Sequence, residues 1–388
     1  MKDILKYRAK QYRNNIDITL KTTKQFFREK VNGLINTQKQ RAREFLRLLS
    51  INSGVSGYEG SIASIVTERF KTLTDEVHND PFGNVYALKK GKTKNYKKIM
   101  LAAHMDEIGL IVKKIDSRGF LRFTSIGGVD QRTLLSQEVL VHGRQVIPGI
   151  IGSVPPHLLA NEDSDQAVKM EDMTIDVGLS LTKIKELIQV GDTITLKRET
   201  YPLLNNVMAG KSLDDRAGVV VMMVCLEELS RLQHLHDVIA VATTQEEEGI
   251  RGALTSAYTL NPDLAVAIDV THASTPDTKG QVTIELGKGP AVALGPNIHP
   301  AIYRQLTETG QEHRLPIQIE PIPGHSGTDA WVIQVTRAGI PTGLVSIPLR
   351  YMHTSVETLD MQDVLNSGKL LAYFIASLPD DLEGFLCY

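Results

Sequence analysis

The sequence predicts an α/β protein whose mostly parallel sheet is flanked by helices and interrupted by a small all-β insert. Three observations predict it. Short apolar runs alternate with longer stretches of helical periodicity. The block 113–207 breaks that rhythm with short β runs punctuated by glycine and proline. The composition, 42% hydrophobic and 23% charged over 388 residues, supplies enough apolar side chains for a large core.

The first 40 residues differ from the rest. They carry ten Lys/Arg against Asp3, Asp17 and Glu29, contain no serine, and lack the apolar centre of a secretory signal. They read as a partly helical surface extension, with an organellar targeting segment as the alternative. From Arg41, "RAREFLRLLSINSGVSGYEGSIASIVTERFK" gives two helical patterns split by a Ser/Gly turn. "KKIMLAAH" (97–104), "DVIAVATT" (237–244), "DLAVAIDV" (263–270) and "PTGLVSIP" (341–348) read as buried strands. Residues 214–232 and 360–378 carry helical periodicity. The expected organisation is therefore an extension (1–40), an α/β domain (41–112 and 208–388), and the β insert (113–207).

Net charge of −2 and a pI near 6.6 argue against a general nucleic-acid binder. No apolar run approaches the roughly 20 residues of a membrane span. The two cysteines, Cys225 and Cys387, suggest neither a thiolate metal site nor a disulfide framework, so a cytoplasmic location is expected.

Five spots sit at or just past the carboxyl ends of strands, the edge where open α/β sheets bind ligands. "HMDEIG" sets His104 and Asp106 two apart, so that both face one side of an extended backbone. "LDDRAG" holds Asp214 and Asp215, "QEEEGIRGA" holds Glu246, Glu247 and Glu248, "AIDV" holds Asp269, and "RYMHTSVE" holds His353. Alone, each has an ordinary explanation: a structural histidine, a helix N-cap, a solvated turn. Together they crowd carboxylates that would repel one another without positive charge nearby. Two divalent cations would balance Asp214, Glu246, Glu247 and Asp269. Mixed N/O donors without thiolate suit Zn, Co or Mn, and paired cations are a recurrent hydrolase device.

In this order and spacing the five motifs resemble the co-catalytic metallo-aminopeptidases that form tetrahedral dodecamers, the glutamyl and deblocking aminopeptidases among them. "GIIGSVPPHLL" (149–159), "IDVGLS" (175–180) and "GHSGTDA" (324–330) add to the resemblance, which runs from about residue 41 to the C-terminus. It implies the dimetal exopeptidase fold and hydrolysis of the N-terminal residue of short peptides. It also implies two divalent cations per subunit, and a homo-oligomer paired through the β insert. Carried over by position, Asp214 bridges two cations, His104 and Asp269 complete one site, and Glu247 and His353 complete the other. Glu246 is the general base acting on a water shared by the cations, and Asp106 orients His104. The sequence departs from the pattern at Glu248, where relatives usually carry an apolar residue, and in its basic extension. Glu248 is expected to point to solvent or to Arg251. His157, His272, His325 and Ser326 are left out of the site.

Three other readings compete. A related dimetal carboxypeptidase or deacylase would require a free carboxyl rather than a free amino group on its substrate. A glycoside hydrolase would need two carboxyls flanking a sugar bond, for which adjacent glutamates are poorly placed. A non-catalytic assembly protein would have no use for Glu246.

Overall fold

The computed structural model describes residues 37–93, 97–155, 167–276, 278 and 284–387. The extension expected over 1–40 lies, up to residue 36, outside the described residues, as does His157.

Helices α1 (Gln38–Ile51) and α2 (Gly60–Phe70) come first. Thr37 opens α1 with a capping box: its hydroxyl accepts from the Gln40 N–H while the Gln40 side chain accepts from the Thr37 N–H, both at 3.2 Å. Strands β1 (Glu76–Asn79), β2 (Val85–Lys89) and β3 (Lys98–His104) lead into a closed six-stranded barrel. Its strands are β4 (Gly109–Ile115), β5 (Leu121–Ile126), β6 (Glu138–His142), β7 (Val146–Gly152), β8 (Thr174–Asp176) and β9 (Thr193–Leu196). Helix α3 (Leu181–Leu187) lies between the last two. The chain continues through β10 (Tyr201–Pro202), β11 (Val207–Gly210), α4 (Leu213–Leu229), β12 (Asp237–Thr243), α5 (Arg251–Leu260) and β13 (Leu264–His272). It ends with β14 (Ala291–Leu294), α6 (Pro300–Glu312), β15 (Gln318–Pro321), α7 (Asp329–Ile333), β16 (Thr342–Arg350), β17 (Glu357–Asp360), α8 (Met361–Ser377) and α9 (Leu382–Leu386).

The large sheet runs β1-β2-β12-β3-β13-β16-β17-β11-β10, with β14 bonded to β16 and β15 to β14. At its centre β12, β3, β13 and β16 are parallel. Both faces of these strands are covered, which is why they read as unbroken apolar runs rather than alternating ones. Helix α4 is buried from Leu213 to Leu226 and has no polar stripe; it lies inside the main core against α8, α1, β3 and β13. The barrel has a separate core built on Leu110, Val139, Ile175 and Ile194. Strand β7 shows the alternation of a one-sided barrel wall, with Ile147 and Ile151 inside and Val146 and Ile150 outside.

The barrel and the expected insert differ at both ends. Strand β4 joins the barrel from Gly109, before the expected start at 113, and β10 pairs with β11 in the large sheet, inside the expected 113–207. Among the described residues no helix is long and apolar enough to cross a membrane.

Candidate active site

Register brings the chemistry to one edge. His104 ends β3 level with Thr243 of β12, and continuing the Ala102–Ala267 pairing brings Asp269 of β13 alongside. The glutamates follow β12, and the turn holding His353 follows β16. Asp214 enters at the start of α4, where the Asp214–Asp215 peptide is cis.

Asp214 stands between the two imidazoles. Its Oδ1 lies 3.1 Å from His104 Nε2 and its Oδ2 lies 3.2 Å from His353 Nε2. His353 Nε2 is also 3.5 Å from Glu247 Oε1, and His104 Nε2 is 4.0 Å from Glu246 Oε2. Two groups of possible donors result, His104–Asp214–Asp269 and Asp214–Glu247–His353, each with its ligand atoms within 4.8 Å of one another. Both groups share Asp214.

The two imidazoles differ at their other nitrogen. His353 Nδ1 donates to the Gly128 carbonyl at 3.0 Å, which turns Nε2 toward the cluster. His104 Nδ1 faces Asp106 Oδ1 at 3.5 Å, an ion-pair distance, and has no hydrogen-bond partner. Asp106 is fully buried and accepts from the Glu246 and Glu247 N–H groups, each at 3.1 Å. One carboxylate therefore ties the end of β3 to the glutamate turn. Gln245, Ser212 and His353 all adopt positive φ (54°, 56° and 61°) without being glycine. Such strained backbone gathers at sites that position side chains.

Burial and mutual repulsion govern the protonation of the cluster. Burial, with Asp214 and Asp106 adding repulsion, pushes Glu247 up to about 8 against the pull of His353 and His104. Burial likewise raises Glu246 to about 10, opposed by His104 and reinforced by Asp269, Asp329 and Glu247. Asp269 is raised by burial and by Asp214. Asp214 goes the other way: burial opposes ionisation, but both histidines outweigh it. His353 is raised to about 9, chiefly by its bond to Asp214. The protein alone can hold this many carboxylates together only by protonating some of them. Divalent cations remove that need, and the donor set, two imidazoles and clustered carboxylates with Nδ1 turned outward, fits them.

The edge opens into a cavity of about 570 Å³ lined by His104, Asp214, Glu246, Glu247, Asp269 and His353, together with Ser326, Gly327 and Thr328 of the "GHSGTDA" turn. This is the setting expected of a small-molecule or peptide site. The family model of M42 glutamyl aminopeptidases matches residues 83–370. The chain belongs to that family. It is 38% identical over 343 residues to the lysyl aminopeptidase of Pyrococcus furiosus, covering 86% of this chain and 97% of that one. Among solved structures it resembles an aminopeptidase from the archaeon Desulfurococcus kamchatkensis (38% identity, TM-score 0.84, covering 91% and 99% of the two chains). It also resembles the TET1 peptidase of Pyrococcus horikoshii, which can assemble into a tetrahedron or a large octahedral shell (31%, TM-score 0.76, 87% and 100%).

Several features of this M42 site differ from the sequence expectation or escape it. Asp215 rather than Asp214 makes the local cap-like bond: its Oδ1 accepts from the Gly218 N–H at 3.0 Å. Glu248 is exposed and accepts from the Gly127 N–H of the barrel at 2.6 Å, while Arg251 donates to Gln245 instead. Glu357, buried on β17, accepts from the N–H groups of Leu213 (2.6 Å), Asp214 (3.2 Å) and His353 (2.9 Å). It thereby holds two donor-bearing backbones, and "SVETLD" gives no sign of it. Glu59 reaches the Gln245 N–H from the start of α2 at 3.0 Å.

Proposed function

We propose that this M42 peptidase is a metal-dependent aminopeptidase that removes the N-terminal residue of short peptides. The observation that carries the reading is the shared carboxylate: Asp214 presents one oxygen to each of two histidines, at the centre of two three-residue donor groups. His104, Asp214 and Asp269 would hold one divalent cation, and Asp214, Glu247 and His353 a second, with Zn or Co suited to the donors and Mn acceptable. When bound, such a pair supplies Lewis acidity and lowers the pKa of water at the site.

The chain's own groups do the rest. Glu246, with Oε2 at the cluster and its side chain nearly buried, accepts the proton of the attacking water and returns it to the departing amine. Asp106 holds the Glu246 and Glu247 backbone and orients His104. The cavity in front of these groups would take the peptide end.

Oligomerisation is part of the same reading. The outer barrel wall, with exposed Val146, Ile150 and Val154, suits pairing of subunits, and the site would then face the interior of a cytoplasmic shell. The relatives carry different specificity names, lysyl and glutamyl, so family membership leaves the preferred first residue open.

The test is a panel of aminoacyl-p-nitroanilides, each free and N-acetylated, assayed before and after chelation with Zn or Co restored. Cleavage of free forms only, lost on chelation and regained with metal, is expected. No cleavage of free forms with metal present overturns the reading. Glu246→Gln is expected to keep its metal while losing about 10²–10⁴-fold in kcat.

A further inference from the structure

Among the described residues five carboxylates line the cavity, Asp214, Glu246, Glu247, Asp269 and Glu320, and no lysine or arginine does. Two divalent cations balance the first four. Glu320 is left over.

It reaches the cavity from β15, far in sequence from every donor of the cluster. Its Oε2 accepts from the Ser346 hydroxyl at 2.7 Å, and its Oε1 accepts from the Thr271 hydroxyl. Ser346 is the register partner of Asp269, and Thr271 lies two residues past Asp269 on the same strand face. The carboxylate is thus fixed over the strand ends beside the candidate cation site. Each oxygen gives one acceptor position to a hydroxyl and keeps another free. Ile322, Leu344 and Met352 add apolar lining to the same cavity. Glu248, the acid that breaks the motif pattern, contributes nothing here, because it is absent from the lining and bonded to Gly127.

We propose that Glu320 makes this cavity selective for peptides whose first residue is lysine or arginine. The apolar lining takes the aliphatic stem, and the carboxylate takes the cationic head in a charge-assisted bond. An acidic first residue is rejected by the same charge. This inference rests on the aminopeptidase reading above. A purely structural role, tying β15 to β13 and β16 through two hydroxyls, would affect all substrates equally.

The experiment uses the metal-loaded full-length protein with lysyl, arginyl, leucyl and glutamyl p-nitroanilides, comparing wild type with Glu320→Gln. In wild type, kcat/KM for the lysyl and arginyl substrates should exceed that for leucyl by at least about tenfold, and glutamyl should be poorest. In Glu320→Gln the basic substrates should lose at least about tenfold, mainly through KM, with leucyl within about twofold and metal content unchanged. A wild-type preference for leucyl or glutamyl overturns the proposal. So does an even rise of KM across all free-amino substrates, which would place Glu320 on the α-amino group instead. Should the variant fail to fold, competitive inhibition of wild type by L-lysinol against L-leucinol decides, with weaker inhibition by lysinol overturning it. Cleavage of leucyl but not lysyl substrates removes this inference alone. Failure to cleave any free-amino substrate with metal present removes the aminopeptidase reading, and this inference with it.

Discussion

Asp214 has two oxygens and two imidazole neighbours, and its position is not left to the side chain alone. Glu357 grips its backbone N–H together with those of Leu213 and His353. Replacing Glu357 with Ala should weaken metal affinity about 10–100-fold, read by competition with a chromogenic chelator. Replacing Asp214 with Ala should abolish binding at both positions, read by metal analysis of the purified variant. The two differ in legibility. His104 and Asp269 stood out in the sequence because a histidine or acid ending an apolar run is out of place there, whereas Asp214 and His353 were picked out by the motif resemblance. Glu357 was not, because its work is done through backbone N–H groups that no side-chain pattern reports. Glu320 escaped for a related reason: its hydroxyl partners come from strands that only the sheet order brings beside it.

At the scale of elements, the junction of β4 and α4 is held by a buried ionic network. Glu107 receives the Lys211 ammonium at 2.5 Å and the Arg216 guanidinium at 3.1 Å, and the Ser212 hydroxyl donates to it as well. Arg216 also donates to the carbonyls of Leu49 and Asn52, closing off the end of α1. Burial alone would raise the Glu107 carboxyl, but Arg216 and Lys211 outweigh it and hold it at about 2. Burial lowers Lys211 to about 8 despite Glu107. The unfolded Glu107 takes up its proton near its ordinary value of 4.5 and the folded one only near 2. Its contribution to stability is therefore complete above about pH 4.5 and disappears as pH falls toward 2. Urea unfolding across that window should show a steep loss, and Glu107→Gln should flatten it. The same variant leaves two buried cations without their anion, and should cost about 3–5 kcal/mol at neutral pH.

The whole molecule was legible where burial is two-sided. Parallel strands covered by helices cannot alternate polar and apolar residues, so β3, β12, β13 and β16 stood out as runs. The limits of the barrel were harder to see. Gly109 to Val112 of β4 is as apolar as a central strand, and a two-residue strand such as β10 has no period to detect. The outer barrel wall is expected to carry assembly. Ile150→Asp should therefore shift the mass seen by light scattering from a large particle toward the single chain, without changing the barrel's interior core. An unchanged mass would move the contact surface elsewhere.

The barrel also touches the chemistry. Gly128 lends its carbonyl to His353, and an added Cβ there would lie 2.8 Å from the imidazole Nδ1; Gly127, at φ +76°, gives its N–H to Glu248. The two loops that carry Glu247 and His353 thus rest on the inserted unit, although both side chains come from outside it. This makes the fold poorly modular. A chain trimmed of its barrel would keep all five clustered side chains and still lose the carbonyl that turns His353 Nε2 toward them. Evolution or an engineer could exchange the barrel's outer wall to rebuild the assembly, but the short glycine turn at residues 127–128 would have to travel with the catalytic half.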